Sequence, residues 1–317
     1  MHTRLRGLVL AGAFLAIACS GADDEPTFDD VVVIGDDQEL VPIIASSELV
    51  VGPNRFVVGV LDPDGLPIVD ATVGFRFFDL NDGTPVEKAT VAAVSRVPAR
   101  DAGIKEEVAH VHADGTRHNH FNVGEEVGVY TAPVTFDQAG VWGVQIAVAA
   151  TAPDVERTLS VRFTVLETGS IPAPGMAAPR SRNLTVADVA DVTEIDSSTN
   201  PSPAMHTSTI ADAIEAGRPT LVLFAVPGYC ESRLCGPELE IMRTLFPRYA
   251  DRAEFIHVEF YKDPGNPARV QADAAVEWNL RSEPWFFVID GEGIVRARFE
   301  GPTSLQELDE ALSAVVP

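Results

Sequence analysis

One stretch of sequence decides how the C-terminal half of the chain folds, and it reads Thr220-Leu221-Val222-Leu223-Phe224-Ala225-Val226-Pro227-Gly228-Tyr229-Cys230-Glu231-Ser232-Arg233-Leu234-Cys235-Gly236-Pro237. Its first seven residues form an apolar run, which is typical of a strand buried on both faces. A proline and a glycine end this run. Because a helix is predicted from about 237 to 249, the two cysteines lie between the tip of a buried strand and the start of a helix.

Helix and strand patterns alternate around this stretch, and the alternation predicts an α/β domain over residues 184–317. The other predicted elements are a helix at 210–216, a strand around 255–260, a helix near 268–278, a hairpin of 285–289 and 294–299, and a helix at 304–315.

Residues 205–317 resemble a thioredoxin-like domain. The resemblance rests on the apolar strand, the Cys230/Cys235 pair, Gly236-Pro237 at the helix start, and Pro284 ahead of the hairpin. It implies that Pro284 follows a cis peptide bond and lies against the cysteine pair. It also implies that Cys230, Cys235 and Pro284 form a catalytic site for thiol-disulfide exchange.

Two features depart from that family. The family motif has two residues between its cysteines, whereas four residues separate Cys230 from Cys235. On a continuous helix this spacing would place the two Cα atoms about 8 to 9 Å apart, which is beyond disulfide reach. Cys230 must therefore lie in a loop that folds back on the helix start. In addition, Leu223 occupies the position where thioredoxins carry a buried acid.

Thiol-disulfide exchange needs a thiolate that attacks and a second thiol that resolves the mixed disulfide. A helix N-terminus near Pro237 and the cation of Arg233 would both stabilise negative charge on sulfur. Cys230 follows the strand tip directly and is the predicted nucleophile, with Cys235 as the resolving thiol. Two alternatives stay open: the roles are exchanged, because Cys235-Gly236-Pro237 resembles the family's Cys-Gly-Pro, or the pair is a static disulfide.

The N-terminus resembles that of a bacterial lipoprotein. Arg4 and Arg6 precede a short apolar run, and small or apolar residues lead up to Cys19. The resemblance implies a signal peptide over 1–18, lipidation of Cys19, and attachment to a bacterial membrane on its extracytoplasmic side. Residues 19–30 are rich in acids and are predicted to be a solvated tether.

Residues 31–166 show strand patterns of period two separated by turn signals, which predicts an antiparallel β-sandwich. Alternating runs occur at 72–77, 142–148 and 159–165. The stretches 62–77 and 128–142 are similar to extracytoplasmic immunoglobulin-like modules of the YtkA-like type. Residues 167–183, rich in proline, alanine and serine, are predicted to link this sandwich to the α/β domain.

Four histidines flank a short loop within the β region: His110, His112, His118 and His120. A three-residue loop with a glycine bulge would pair His110 with His118 and place all four imidazoles on one face. A two-residue Asp-Gly loop would put the two pairs on opposite faces. The first register suits Cu or Zn, since both accept imidazole ligands.

The formal net charge is −24, with 23 basic against 47 acidic residues. This charge disfavours nucleic acid and anionic lipid surfaces as partners. The sequence thus predicts a two-domain, membrane-anchored extracytoplasmic thiol-disulfide oxidoreductase that acts on a thiol or disulfide protein and requires no cofactor. The alternatives are a copper-binding metallochaperone and a noncatalytic partner-binding module with a structural disulfide.

The histidine hairpin leads to a first prediction. A fragment of residues 31–166 should bind a divalent or cuprous ion, and binding should weaken below about pH 6.5 because protonated imidazole is no ligand. Metal titration against the double variant His110→Ala, His118→Ala measures this. Equally weak binding by both proteins would show that the hairpin is only a polar surface.

Overall fold

The structure is a computed structural model that describes residues 27–28, 40–104, 108–111, 117–121, 126–152, 154–230 and 232–317. Cys19, the signal peptide and most of the acidic tether lie outside these residues. Among the described residues, no helix has both the length and the apolar character needed to cross a lipid bilayer.

The N-terminal region, residues 40–166, consists of antiparallel sheets. Its strands are β1 Val41–Ile44, β2 Gly52–Leu61, β3 Thr72–Asp79, β4 Val86–Ala92, β5 Val94–Arg96, β6 Val108–Val111, β7 Arg117–Phe121, β8 Val129–Phe136, β9 Gly140–Thr151 and β10 Asp154–Val165. One sheet has the order β1-β2-β8-β5, a second has the order β10-β9-β3-β4, and β6 pairs with β7 alone.

The two four-stranded sheets share one aromatic core. Phe56 from β2 contacts Phe77 from β3 edge to face at 5.0 Å between ring centroids, and Phe136 from β8 contacts Trp142 from β9 at 4.8 Å. Side chains alternate between the two faces of a strand, and these four aromatic residues all lie on the faces where the two sheets meet.

A short helix, α1 Pro98–Asp101, interrupts the N-terminal region, so the expectation of purely β structure is wrong at this point. Pro98 stands at the first helical position, where a missing N–H costs no hydrogen bond. α1 contacts the long helix Cys235–Tyr249 of the C-terminal region.

The C-terminal region, residues 171–317, is built on a mixed sheet with the strand order β12-β11-β13-β14. Its elements are α2 Ile210–Glu215, β11 Thr220–Ala225, α3 Cys235–Tyr249, β12 Glu254–Glu259, α4 Asp273–Glu277, β13 Trp285–Ile289, β14 Val295–Glu300 and α5 Leu305–Ser313. β11 is parallel to β12 and antiparallel to β13, and every residue of β11 is buried.

Two helices differ from the sequence prediction. α3 begins at Cys235, two residues earlier than expected, because the second cysteine itself forms the first helical turn. The helix predicted near 268–278 is reduced to α4, because the preceding residues form a loop. In that loop Arg269 has φ +45° and Lys262 donates its N–H to the carbonyl of Val270, and neither feature is compatible with a helix.

Part of the segment predicted as a linker is packed into the C-terminal core. Ile171 and Ala178 are 4% and 7% exposed and belong to that core. Ala177 also forms a β-bridge with Ile294. This segment therefore adds apolar contacts to the C-terminal region as well as connecting the two regions.

Arg55 of β2 joins the two regions through a partly buried set of polar contacts. Its guanidinium lies 3.1 Å from Glu307 at the start of α5, and it donates to the carbonyls of Glu300 and Pro302. Arg96 lies 3.1 Å from the other carboxylate oxygen of Glu307. A buried guanidinium needs these acceptors, so the contact fixes how β2 meets the end of β14.

Arg55→Ala should lower the free energy of unfolding by about 3 kcal/mol, because Glu307 and two carbonyls would lose a donor in a poorly solvated site. Chemical denaturation followed by tryptophan fluorescence measures the change. Arg76, whose side chain is 51% exposed against Glu87, gives a matched control: Arg76→Ala should cost less than about 0.5 kcal/mol. Equal losses in the two variants would contradict the prediction.

Candidate functional site

The chain reverses direction between the two cysteines, as the spacing argument requires. Arg233 donates its N–H to the carbonyl of Cys230 at 3.2 Å, which closes a turn. Arg233 adopts φ +60°, a left-handed conformation that returns the chain toward the helix start. The predicted fold-back of Cys230 onto α3 is therefore confirmed.

The sulfur of Cys230 lies at the N-terminus of α3. The N–H of Cys235 donates to Cys230 Sγ at 3.3 Å, and Ser232 Oγ lies 3.2 Å from the same sulfur. α3 has no side-chain N-cap from Leu234, so the sulfur accepts an N–H that would otherwise lack an acceptor. The two sulfurs and a carboxylate oxygen of Glu283 all lie within 4.8 Å of one another, which confirms that the cysteines are close in space.

The two thiols differ in acidity. The pKa of Cys230 is lowered to about 6 by a hydrogen bond from the Cys235 thiol, helped by Ser232 and by the N–H groups of Cys235 and Leu234, against the opposing effect of burial. The pKa of Cys235 is raised well above its usual value by complete burial and by the neighbouring Cys230. At neutral pH Cys230 is therefore mainly a thiolate and Cys235 a thiol.

Of the two predicted supporting residues, Pro237 lies at the start of α3 and Arg233 lies beside the N-terminal region. Pro237 is buried in the first turn of α3. Arg233 is not among the principal groups that lower the pKa of Cys230. It instead lines a cleft of about 340 Å³ together with Asp70 and Glu126 of the N-terminal region. Its supporting role at the sulfur stays a prediction.

Pro284 immediately precedes β13 and is buried. The Glu283–Pro284 peptide bond is cis, which confirms the expectation for this proline. Glu283, the residue before it, contributes the carboxylate oxygen near both sulfurs, and its charge adds to the rise in the pKa of Cys235. Sequence reasoning had not selected Glu283, whose only sequence signal is its position next to the proline.

A fully buried acid, Glu238, occupies the fourth position of α3. It accepts hydrogen bonds from the N–H and the hydroxyl of Thr303, and burial raises its pKa to about 8. The sequence carried a signal for it, because Glu238 falls on the same helical stripe as the buried Met242 and Leu245. An acid within an apolar stripe indicates a specific buried partner.

A further cluster joins Asp196, His206 and His257 in the C-terminal region. All three side chains are 1% exposed or less, and their ligand-type atoms lie within 4.8 Å of one another. His257 lies within β12, and His206 follows the short 3₁₀ turn Pro203–Met205. The sequence did not show that these residues meet, because they come from separate segments.

The histidine hairpin is described only through its backbone. β6 and β7 pair in the register that places His110 opposite His118, as the three-residue loop predicts. His112 lies outside the described residues, and His120 belongs to β7. Metal binding by these four histidines stays a prediction.

No known protein family matches the chain, and no curated protein matches it. Among solved structures, a putative thiol:disulfide interchange protein DsbE from Chlorobium tepidum is 14% identical with a TM-score of 0.31, covering 46% of this chain and 99% of that one. The CARDB domain of PF1109 from Pyrococcus furiosus is 15% identical with a TM-score of 0.21, covering 41% and 96%. These similarities fit a thioredoxin-like region and an immunoglobulin-like β region, at TM-scores too low to carry an argument.

The PKD domain of the human VPS10 domain-containing receptor SorCS2 is 12% identical with a TM-score of 0.19, covering 50% of this chain and 98% of that one. It is also a weak match. The description of the site therefore rests on its own geometry.

The acidity of Cys230 generates a prediction for alkylation. The rate of iodoacetamide labelling at Cys230 should be half-maximal near pH 6 and level off above pH 7, because only the thiolate reacts. Peptide mapping by mass spectrometry should find Cys235 labelled far more slowly. Ser232→Ala should move the midpoint up by about one unit, since a hydrogen bond to a charged group is worth about 1.5 kcal/mol. A midpoint near 8.5, or faster labelling of Cys235, would refute this assignment.

Proposed function

We propose that this protein is a thiol-disulfide oxidoreductase in which Cys230 attacks and Cys235 resolves. The observation that supports this best is the contrast between the two sulfurs. Cys230 is 8% exposed with a pKa of about 6, whereas Cys235 is fully buried with a raised pKa. Two cysteines five positions apart, one in a loop and one in the first turn of α3, are thus prepared for different steps.

In the reductive direction, the Cys230 thiolate attacks one sulfur of a substrate disulfide. A mixed disulfide forms, and the other substrate sulfur leaves as a thiolate. Cys235 then gives up its proton to the departing thiolate and attacks the Cys230 sulfur. The Cys230–Cys235 bond forms, the second substrate sulfur leaves, and the substrate has gained two electrons at the expense of the two cysteines.

The first step uses the hydrogen bonds at the N-terminus of α3. The N–H of Cys235 and the hydroxyl of Ser232 hold the Cys230 thiolate before attack and weaken as its charge passes to the leaving sulfur. The second step must overcome the high pKa of Cys235. Formation of the mixed disulfide removes the negative charge of Cys230, and with it one of the causes that raise that pKa.

A purely structural disulfide is less well supported by this geometry. A structural bridge needs no acidic thiol, yet four hydrogen-bond donors converge on Cys230. A second candidate function is metal transfer, because Cys230, Cys235 and Glu283 place two sulfurs and one oxygen within 4.8 Å. Two thiolates suit Cu(I), as the copper-binding alternative requires.

The proposal includes the setting of the reaction. Residues 31–166 are assigned to an immunoglobulin-like sandwich and residues 184–317 to a thioredoxin-like domain. The lipoprotein-like N-terminus supports attachment of Cys19 to a bacterial membrane and work outside the cytoplasm, where disulfides persist. The partner is a thiol or disulfide protein.

Single-cysteine variants test the mechanism. With a labelled disulfide peptide as substrate, Cys230→Ser should abolish turnover, whereas Cys235→Ser should accumulate a mixed disulfide on Cys230 because the resolving thiol is gone. Mass spectrometry under non-reducing conditions detects that adduct. The third cysteine provides the matched control, and Cys19→Ser should keep full turnover.

Adduct formation on Cys235 in the Cys230→Ser variant would show that Cys235 is the nucleophile and Cys230 the resolving thiol. Absence of turnover and of adducts in every variant would contradict the enzyme proposal. A redox titration of the pair then separates the remaining functions. A potential of about −120 to −270 mV supports exchange, and one below about −300 mV supports a structural bridge.

A further inference from the structure

We propose that Asp196, His206 and His257 form a binding site for a divalent transition-metal ion of the Zn²⁺ type. The three residues come from different segments. Asp196 follows the 3₁₀ turn Val192–Glu194, His206 follows the turn Pro203–Met205, and His257 lies in β12. Two imidazoles and one carboxylate therefore meet at one point inside the C-terminal region.

The spacing of the ligand atoms fits a tetrahedral ion. With metal–ligand distances of about 2.0 to 2.1 Å, the edge of a coordination tetrahedron is about 3.3 Å. His206 Nε2 lies 3.3 Å from Asp196 Oδ2, and His257 Nδ1 lies 3.9 Å from Asp196 Oδ1. The His206 pair already has the required separation. The His257 distance is measured to the other carboxylate oxygen, so an ion held by Oδ2 needs His257 Nδ1 to move closer to that oxygen.

The two imidazole rings are also correctly separated. Two rings bound to one tetrahedral ion have centroids about 5.2 Å apart, given the metal–nitrogen distance and the size of the ring. The centroids of His206 and His257 are 5.1 Å apart, with 61° between the ring planes. Stacked rings have nearly parallel planes, so His206 and His257 are not stacked on each other.

His257 supplies an independent reason for a ligand. Its side chain has no exposure, and within the described part of the chain neither of its ring nitrogens has a hydrogen-bond partner of acceptable geometry. A buried polar group without a partner is costly. A metal ion at the Asp196 side of the ring would satisfy Nδ1.

The carboxylate of Asp196 is held in place by the backbone. Ser198 donates its N–H to Oδ1 at 3.0 Å, and Ser202 donates its N–H to Oδ2 at 2.9 Å. Each oxygen has a second lone pair beyond its backbone bond, and on Oδ2 this lone pair faces His206 Nε2 at 3.3 Å. A bound ion would replace that His206 contact while the backbone bonds keep the carboxylate oriented. Such support of ligands by neighbouring groups is usual at metal sites.

The charge of the surrounding side chains also suits a divalent ion. Glu259, two residues after His257, is buried and accepts hydrogen bonds from Ser197. Asp196 and Glu259 together can balance two positive charges. Arg243, which lies 4.0 Å from Asp196, is itself paired with Glu240.

A cavity of about 190 Å³ reaches His206, His257 and Glu259. Three protein ligands with one side open leave a fourth position for water or a small anion, as in zinc sites that are not closed by protein.

The test must exclude the cysteine pair and the histidine hairpin as ligands. A background chain therefore carries Cys230→Ser, Cys235→Ser and alanine at His110, His112, His118 and His120. This full chain should bind one equivalent of Zn²⁺ in competition with a chromophoric chelator, and Co²⁺ should give the absorption of a tetrahedral ion. Adding His206→Gln or His257→Gln should weaken zinc binding at least about a hundredfold, because one of three protein ligands is lost.

Circular dichroism of each variant without metal checks that it is folded. X-ray absorption of the zinc-loaded background chain needs no further variant, and it should show two imidazoles and no sulfur around the ion. No binding by the background chain, binding unchanged by both glutamine variants, or fewer than two imidazoles would overturn the proposal. Since Cys230 and Cys235 are both replaced in the background chain, none of these outcomes bears on the oxidoreductase proposal.

Discussion

β11 is the element on which the rest of the C-terminal region depends. It pairs with β12 on one side and with β13 on the other, and it is apolar and buried along its whole length. Because it lies inside the sheet, it fixes where the chain leaves the core and where its neighbours end. The cysteine loop follows its tip, Leu223 lies opposite His257, and Phe224 lies opposite Trp285, the residue after Pro284.

Elements set by local patterns could be predicted from the sequence. Alternation located β3, β9 and β10, an apolar run located β11, and the turn at 290–293 located the hairpin of β13 and β14. The start of α3 and the length of α4 could not be found in this way. Cys235 enters α3 because a sulfur five residues earlier accepts its N–H, and α4 is short because Arg269 takes a left-handed conformation. Both depend on contacts that no residue pattern encodes.

The candidate site residues also differ in whether local sequence patterns identify them. Cys230, Cys235 and Pro284 could be selected because they belong to one short stretch and to a recognisable order along the chain. Glu283 and the group of Asp196, His206 and His257 are recognised only through their positions in space. The structure places Arg233 beside Asp70 and Glu126 of the N-terminal region, and its predicted support of the sulfur stays a prediction.

The contacts of Arg55 have a consequence for the response of the chain to salt. Residues 19–170 carry a net charge of −16 and residues 171–317 a net charge of −10, so the two regions repel each other at long range. At physiological ionic strength, ions screen such repulsion beyond about 8 Å, but they reach a partly buried pair such as Arg55–Glu307 poorly. Added salt therefore removes more repulsion than attraction, and the junction between the regions tightens as ionic strength rises.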